Sequence, residues 1–290
     1  MKLTVSNLSK QFKNKSAVDG LSIELKEGVY GLLGANGVGK TTFIQMLCGI
    51  LSPTEGEIRF NEKNIMDLGE AYRDILGYVP QDFGYFPEFT AEKFMLYIAA
   101  VKGLPAHYAK ESVQKLLGKV NLQKASDKKI KTFSGGMKKR LGIAQALLND
   151  PKVLILDEPT AGLDPKERAY FRGMISDLSK DRIVILSTHI VSDVEYIADE
   201  IIFMKDGKIE SRGSVRALIQ TLTGKVWEGN VAEKDVGKYS EKYSVVNSHF
   251  SDKRTYIRLI ADKKPSIDFK EAEPTLEDVY INIFRTKEAE

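Results

Sequence analysis

The chain has 290 residues, 43 Lys and Arg against 40 Asp and Glu, and an apolar fraction of 42%. That balance excludes a disordered, collagenous or disulfide-scaffold chain, and the length suffices for a sizeable core. A formal charge of +3 is too small to argue for nucleic acid. Cys48 stands alone, so no internal disulfide can form and a reducing cytoplasm is expected. No run approaches the about 18 apolar residues needed to span a bilayer, and the start of the chain does not read as a secretory leader.

Residues 1–30 predict short antiparallel strands at Leu3–Val5 and Ile23–Leu25, with turns at Asn14 and Gly28. Val29–Leu33 reads as a buried strand running into a glycine-rich loop. A helix should follow, with Phe43, Met46, Leu47 and Ile50 on one face, closed by Pro53 and Gly56. Residues from about 88 to 150 read as helical. Val153–Leu156 and Ile183–Leu186 have the unbroken apolar character of parallel strands covered on both faces. Between them Asp164, Pro165 and Glu167 mark a helix start as N-cap, N1 and capping-box residues. Asp206-Gly207 predicts a hairpin. Near residue 220 the texture changes: Val226-Trp227, Tyr243–Val246 and Tyr256–Leu259 suggest strands of a small separate unit. Thr275–Asp278 caps a last helix. Strands alternating with helices predict an α/β fold with a parallel sheet.

Gly34-Ala35-Asn36-Gly37-Val38-Gly39-Lys40-Thr41 fills every fixed position of G-x-x-x-x-G-K-[ST], between a strand and a helix. Such a loop turns backbone N–H groups toward phosphate oxygens. Lys40 can reach the β- and γ-phosphates and the Thr41 hydroxyl can bind Mg²⁺. Asp157-Glu158 follows an apolar strand. Alone, the pair fits a solvated strand end; with the phosphate loop upstream, it reads as a metal carboxylate and a general base. His189 ends the next strand, where a structural and a phosphate-contacting role are both open. Ser134-Gly135-Gly136 opens an apolar helix whose first turn carries Lys138, Lys139 and Arg140. Cations there oppose the helix dipole, and a docked anion would relieve them. The alternative is an ordinary capped helix with a basic face.

Together these motifs resemble the nucleotide-binding subunit of an ATP-binding cassette (ABC) transporter, over residues 1 to about 220. The fold this implies is α/β, a P-loop NTPase of cassette type. It has an N-terminal antiparallel β subdomain, a helical subdomain at about 88–150, and a small α+β C-terminal appendage at 221–290. The resemblance makes Gly34–Thr41 the Walker A loop, with Thr42 beside it as a nucleotide contact, Asp157 the Walker B carboxylate, Glu158 the catalytic position and His189 the switch histidine. Gln81 matches the Q-loop glutamine that senses Mg²⁺ and the γ-phosphate, so Thr41, Gln81 and Asp157 form the metal set. Phe12 falls where an aromatic stacks on adenine, and Asp164 in the D-loop. Ser134, Gly135 and Gly136 match the signature, with Phe133 and Met137 in place of its usual Leu and Gln.

The same resemblance implies ATP and Mg²⁺ as ligands and two cassettes paired head to tail. A homodimer suffices, and a pair with a different cassette is the alternative. It further implies a separate multi-helix permease docking near Phe83, Tyr85, Phe86, Pro87 and Phe89. Those rings could instead pack the join between helical and catalytic parts. The chain would then lie in the cytoplasm, peripheral on the membrane through that partner. The signature variant and the closing Pro274–Tyr280 resemble a bacterial exporter branch for drugs, peptides or polysaccharides. An importer subunit, a cassette ATPase acting on ribosome or DNA, and a non-hydrolysing regulatory cassette are the alternatives. The absence of a second cassette, coiled coils or zinc motifs speaks against ribosome or DNA work. Intact Lys40, Asp157, Glu158 and His189 speak against loss of hydrolysis.

Overall fold

The structure, a computed structural model, describes residues 1–13, 15–251 and 254–285. The turn expected at Asn14 lies outside them. Alternating apolar residues set the first sheet: β1 (Lys2–Phe12) and β2 (Lys15–Lys26) pair antiparallel and bury Leu3, Val5, Ile23 and Leu25. Both strands are longer than expected. β3 (Gly28–Leu33) is buried from its second residue onward and leads through the glycine loop into α1 (Lys40–Leu47). This helix stops before Ile50, which is 64% exposed. Gly49, at φ 67° just past the C-cap Cys48, ends it.

β4 (Glu55–Phe60) and β5 (Lys63–Asn64) complete a sheet of order β2-β1-β4-β5. Two short helices, α2 (Ile65–Leu68) and α3 (Glu70–Asp74), lead into β6 (Leu76–Val79). The middle of the chain is helical, as expected: α4 (Ala91–Val101), α5 (Ala106–Lys119) and α6 (Gly135–Ala146). Next come β7 (Val153–Asp157), α7 (Pro165–Leu178) and β8 (Ile183–Thr188). β3, β8, β7 and β6 lie side by side and parallel, with Asp157 opposite Ser187 and Leu33 opposite Thr188. Every residue of β7 and β8 is buried, as a strand covered on both faces requires. The four strands therefore bring the glycine loop, Asp157-Glu158 and His189 to one edge, the carboxyl end of the sheet, where α/β folds bind ligands.

β9 (Glu200–Lys205) and β10 (Lys208–Gly213) are neighbours joined by Asp206-Gly207. Both turn residues have positive φ, 48° and 78°, the geometry of a type I′ hairpin. The chain divides into two units: Met1–Asp199 with Met204–Ile209, and Glu200–Phe203 with Glu210–Glu290. In the second unit α8 (Val215–Gln220) precedes β11 (Val226–Val231), α9 (Val236–Lys242), β12 (Ser244–Ser251), β13 (Arg254–Ile260) and β14 (Phe269–Glu271). The sheet order is β12-β13-β11-β14, over a core of Val231, Ile257, Leu259 and Phe269. α10 (Leu276–Phe284) begins with the expected capping box of Thr275 and Asp278. Asp278 is fully buried and paired with Arg258, which also holds Glu228 and the Glu273 carbonyl. Among the described residues, no helix is long and apolar enough to cross a membrane.

Candidate active site

Two glycines of the loop are required for different reasons. At Gly34 a Cβ would lie 2.6 Å from the Met204 carbonyl oxygen. At Gly39, φ is 105° and a Cβ would lie 2.1 Å from the Ala17 carbonyl oxygen. Only glycine meets both conditions at Gly39. The loop therefore lies tight on its neighbours and presents the start of α1. Lys40, the first residue of that helix, is 6% exposed. Its Nζ donates to the Gly34 and Ala35 carbonyls at 2.6 and 3.1 Å and lies 3.9 Å from Glu158 Oε1. Burial holds its pKa below the usual lysine value, against the upward pull of Glu158 and Asp157.

Asp157 ends β7 at 1% exposure. Its Oδ1 accepts from Ser187 Oγ at 2.5 Å, while Oδ2 is buried with no hydrogen-bond partner among the described residues. A buried carboxylate oxygen left so is costly unless a cation meets it. Glu158 follows in a left-handed conformation, φ 47°, a strained state for a residue with a side chain. Its carboxylate faces His189: Nδ1 lies 3.0 Å from Oε2 and 3.1 Å from Oε1. Glu158 is buried, whereas the His189 side chain is 44% exposed.

These groups face a cleft of about 480 Å³. Of the residues expected at the site, Phe12, Asn36, Gly37, Gly39, Lys40, Thr41, Thr42, Gln81, Glu158 and His189 line it. Lys15, Ala17 and Ala161 join them. Gly34 and Asp157 do not line the cleft, and neither do Ser134, Gly135, Gly136 or Asp164. Phe12 is 48% exposed at its rim.

The helix at Ser134 carries contacts that residue order does not announce. Ser134 caps α6, accepting from the Met137 N–H at 3.2 Å. The three cations of the first turn already have partners in this chain. Lys138 lies 5.1 Å over the Tyr85 ring. Lys139 donates to the Gln81 and Glu158 carbonyls at 2.8 and 3.4 Å. Arg140 pairs with Glu167. The Glu167 carboxylate also sits where a Cβ on Gly136 would meet it at 2.6 Å. An acid from α7 thus supplies a negative charge at this helix end. The same contact draws Glu167 away from a capping box. Asp164 does cap α7, accepting from the Glu167 N–H at 2.8 Å.

The aromatic cluster splits in two. Phe83 packs on buried Phe94, edge to face at 5.6 Å. Phe86 stacks near Phe89 at 4.9 Å and meets Tyr97 edge-on at 5.3 Å, with Phe86 and Tyr97 each 45% exposed. Tyr97 was not singled out in the sequence.

Sequence reasoning also missed Asp193 and Thr160. Asp193 is fully buried just after β8, and its Oδ2 accepts from Thr160 Oγ1 at 2.5 Å and Thr188 Oγ1 at 3.4 Å. The only sequence signal was an acid flanked by Val191 and Val194 close behind a core strand.

A glycine loop wrapped on a helix start, with a buried Asp-Glu step at the end of a parallel strand of the same sheet, defines a P-loop nucleoside triphosphatase. The family model for ABC transporters matches residues 18–161. An uncharacterized ABC transporter ATP-binding protein, YxlF of Bacillus subtilis, is 37% identical over 91% of this chain and 84% of its own length. Nod factor export ATP-binding protein I of Burkholderia pseudomallei is 38% identical over 75% of this chain and 72% of its own. A solved structure of an ATP-binding subunit of an ABC transporter superposes with a TM-score of 0.68 at 26% identity, covering 76% of this chain and 93% of that one. The chain belongs to the ABC transporter ATP-binding proteins. It is an ATP-binding and ATP-hydrolysing subunit of a transporter.

Proposed function

We propose that this subunit drives export by closing head to tail on a second copy of itself, with ATP held between the two. The observation that carries this reading is the convergence of Lys40, Glu158 and His189 on one cleft beside the phosphate loop. Residues 1–220 work as the cassette and residues 221–290 as an accessory unit. Backbone N–H groups from Gly34 to Thr42 bind the phosphates, and Lys40 turns from the Gly34 and Ala35 carbonyls to the β- and γ-phosphates. Phe12 stacks on the adenine.

Thr41, Gln81 and Asp157 hold Mg²⁺. The partnerless buried Oδ2 of Asp157 and the all-oxygen donor set suit that ion. When bound, it neutralises charge on the transferring phosphate. Glu158 takes the proton of the attacking water, and His189 orients the Glu158 carboxylate. Ser134, Gly135 and Gly136 of the second copy cover the γ-phosphate, with Asp164 beside the shared interface.

Export is supported by the 38% identity to a Nod factor export protein. A separate multi-helix permease docks at Phe83, Tyr85, Phe86 and Phe89, and exposed rings such as Phe86 give it an apolar socket. Through it the subunit sits on the cytoplasmic face of the membrane.

The test uses Glu158→Gln. The variant should bind ATP, elute as a dimer in ATP and Mg²⁺, and lose about 100-fold or more in turnover. A variant that stays monomeric in ATP, or hydrolyses at the parent rate, overturns the assignment.

A further inference from the structure

In the C-terminal unit a cavity of about 630 Å³ is lined by Lys225, Lys242, Lys263, Lys264 and Arg285 against a single acid, Asp262. The chain from residue 221 to 290 carries 12 Lys and Arg and 13 Asp and Glu. Its overall balance therefore predicts no basic patch, and the fold gathers one. Lys225 is neutralised by Asp262 at 3.0 Å. The other four cations have no carboxylate within salt-bridge distance among the described residues. The adjoining cavity, about 700 Å³, shares Lys242 and adds Lys238, paired with Asp235, together with Asp268.

The lining supplies donors of the kinds that bind phosphate oxygens. Arg285 donates to the hydroxyl of Ser244, which is 7% exposed, at 3.1 Å, and this anchors one side of its guanidinium fork. Asn282 adds an amide to the same lining, and the lysines add point charges. The space exceeds what an inorganic ion fills and lies in the range of small organic ligands. Leu222, Ile260 and Tyr243 give it an apolar wall.

We propose that this cavity binds an organic phosphate, a phosphate group joined to a small carbon skeleton. A soluble phosphomonoester and a phospholipid headgroup both present that chemistry. The site is independent of the ATP cleft, and its lining residues have no part there.

The test uses the full chain with the ATP cleft kept filled by ADP. Binding is measured to glycerol 3-phosphate by calorimetry, and to vesicles of phosphatidylglycerol or phosphatidylcholine by sedimentation. Binding of glycerol 3-phosphate establishes a soluble ligand. Binding of phosphatidylglycerol vesicles alone establishes a headgroup. In either case Lys242→Glu with Lys264→Glu, and separately Arg285→Gln, should weaken binding about tenfold or more. Lys234→Glu with Lys270→Glu, the same charge change outside the cavity, should not. No binding to either probe overturns the proposal. So does an equal loss in the two double variants, which would mark diffuse surface charge.

Discussion

Thr160 Oγ1 donates to Asp193 Oδ2 at 2.5 Å, joining the segment after Glu158 to the segment after His189. Thr188 Oγ1 donates to the same oxygen and accepts from the Ile190 N–H at 3.1 Å. His189 thus stands between two residues fixed through Asp193. Its 3.0 Å approach to Glu158 rests on that link. Asp193→Ala would leave two buried hydroxyls without their acceptor. We expect a loss of about 2–4 kcal/mol in urea unfolding and a lower kcat. Asp193→Asn keeps an acceptor oxygen and should restore most of the stability. Equal stability of Asp193→Ala and the parent would refute the link.

Gly39→Ala puts a Cβ into the Ala17 carbonyl and a side chain at φ 105°. The loop must shift, at a cost of about 3 kcal/mol or more. Affinity for a fluorescent ATP analogue should collapse. Gly37→Ala meets nothing within 4 Å and has only its φ of 82° to bear, so it should retain more affinity than Gly39→Ala.

Lys40 carries a pH signature. Its folded pKa lies below the ordinary value of 10.5, chiefly through burial. Between the two values the unfolded chain holds the proton that the folded chain has released. Stability from this group therefore rises with pH across that window. Lys40→Met removes the effect. The stability of the parent relative to Lys40→Met should grow as the pH rises toward 10.5 in parallel urea titrations. A constant difference would show that Lys40 titrates alike in both states.

Arg258 clamps the C-terminal unit. Removing it leaves Asp278, fully buried, with its capping partner Thr275 but without its counter-charge. Arg258→Ala should cost about 3–5 kcal/mol, read as earlier melting of the Trp227 fluorescence transition. The paired change Arg258→Met with Asp278→Asn should recover part of it. ATP affinity should be unaltered in both.

Much of this was legible from residue order. The phosphate loop, β7, β8 and the Asp164 cap are local patterns, and local patterns survive folding. The strand at β6 escaped because four residues hold too little period to read. β4 escaped because it buries only Ile58. The helix was carried too far at Ile50 because an apolar residue in phase outweighed the glycine before it. Glu167 was read as a local capping partner, yet it serves Arg140, which lies 27 positions earlier. Asp193 was invisible for the same reason. Its partners come together only when β7 and β8 lie side by side.

The second unit takes its first strand piece, Glu200–Phe203, before the first unit has ended at Ile209. No single scission therefore frees either unit whole. A chain shortened after residue 220 would keep all of the first unit, and with it β9 and β10 as the end strands of the six-stranded sheet. Protease nicking in the loops of the C-terminal unit should yield pieces that stay held by their shared core.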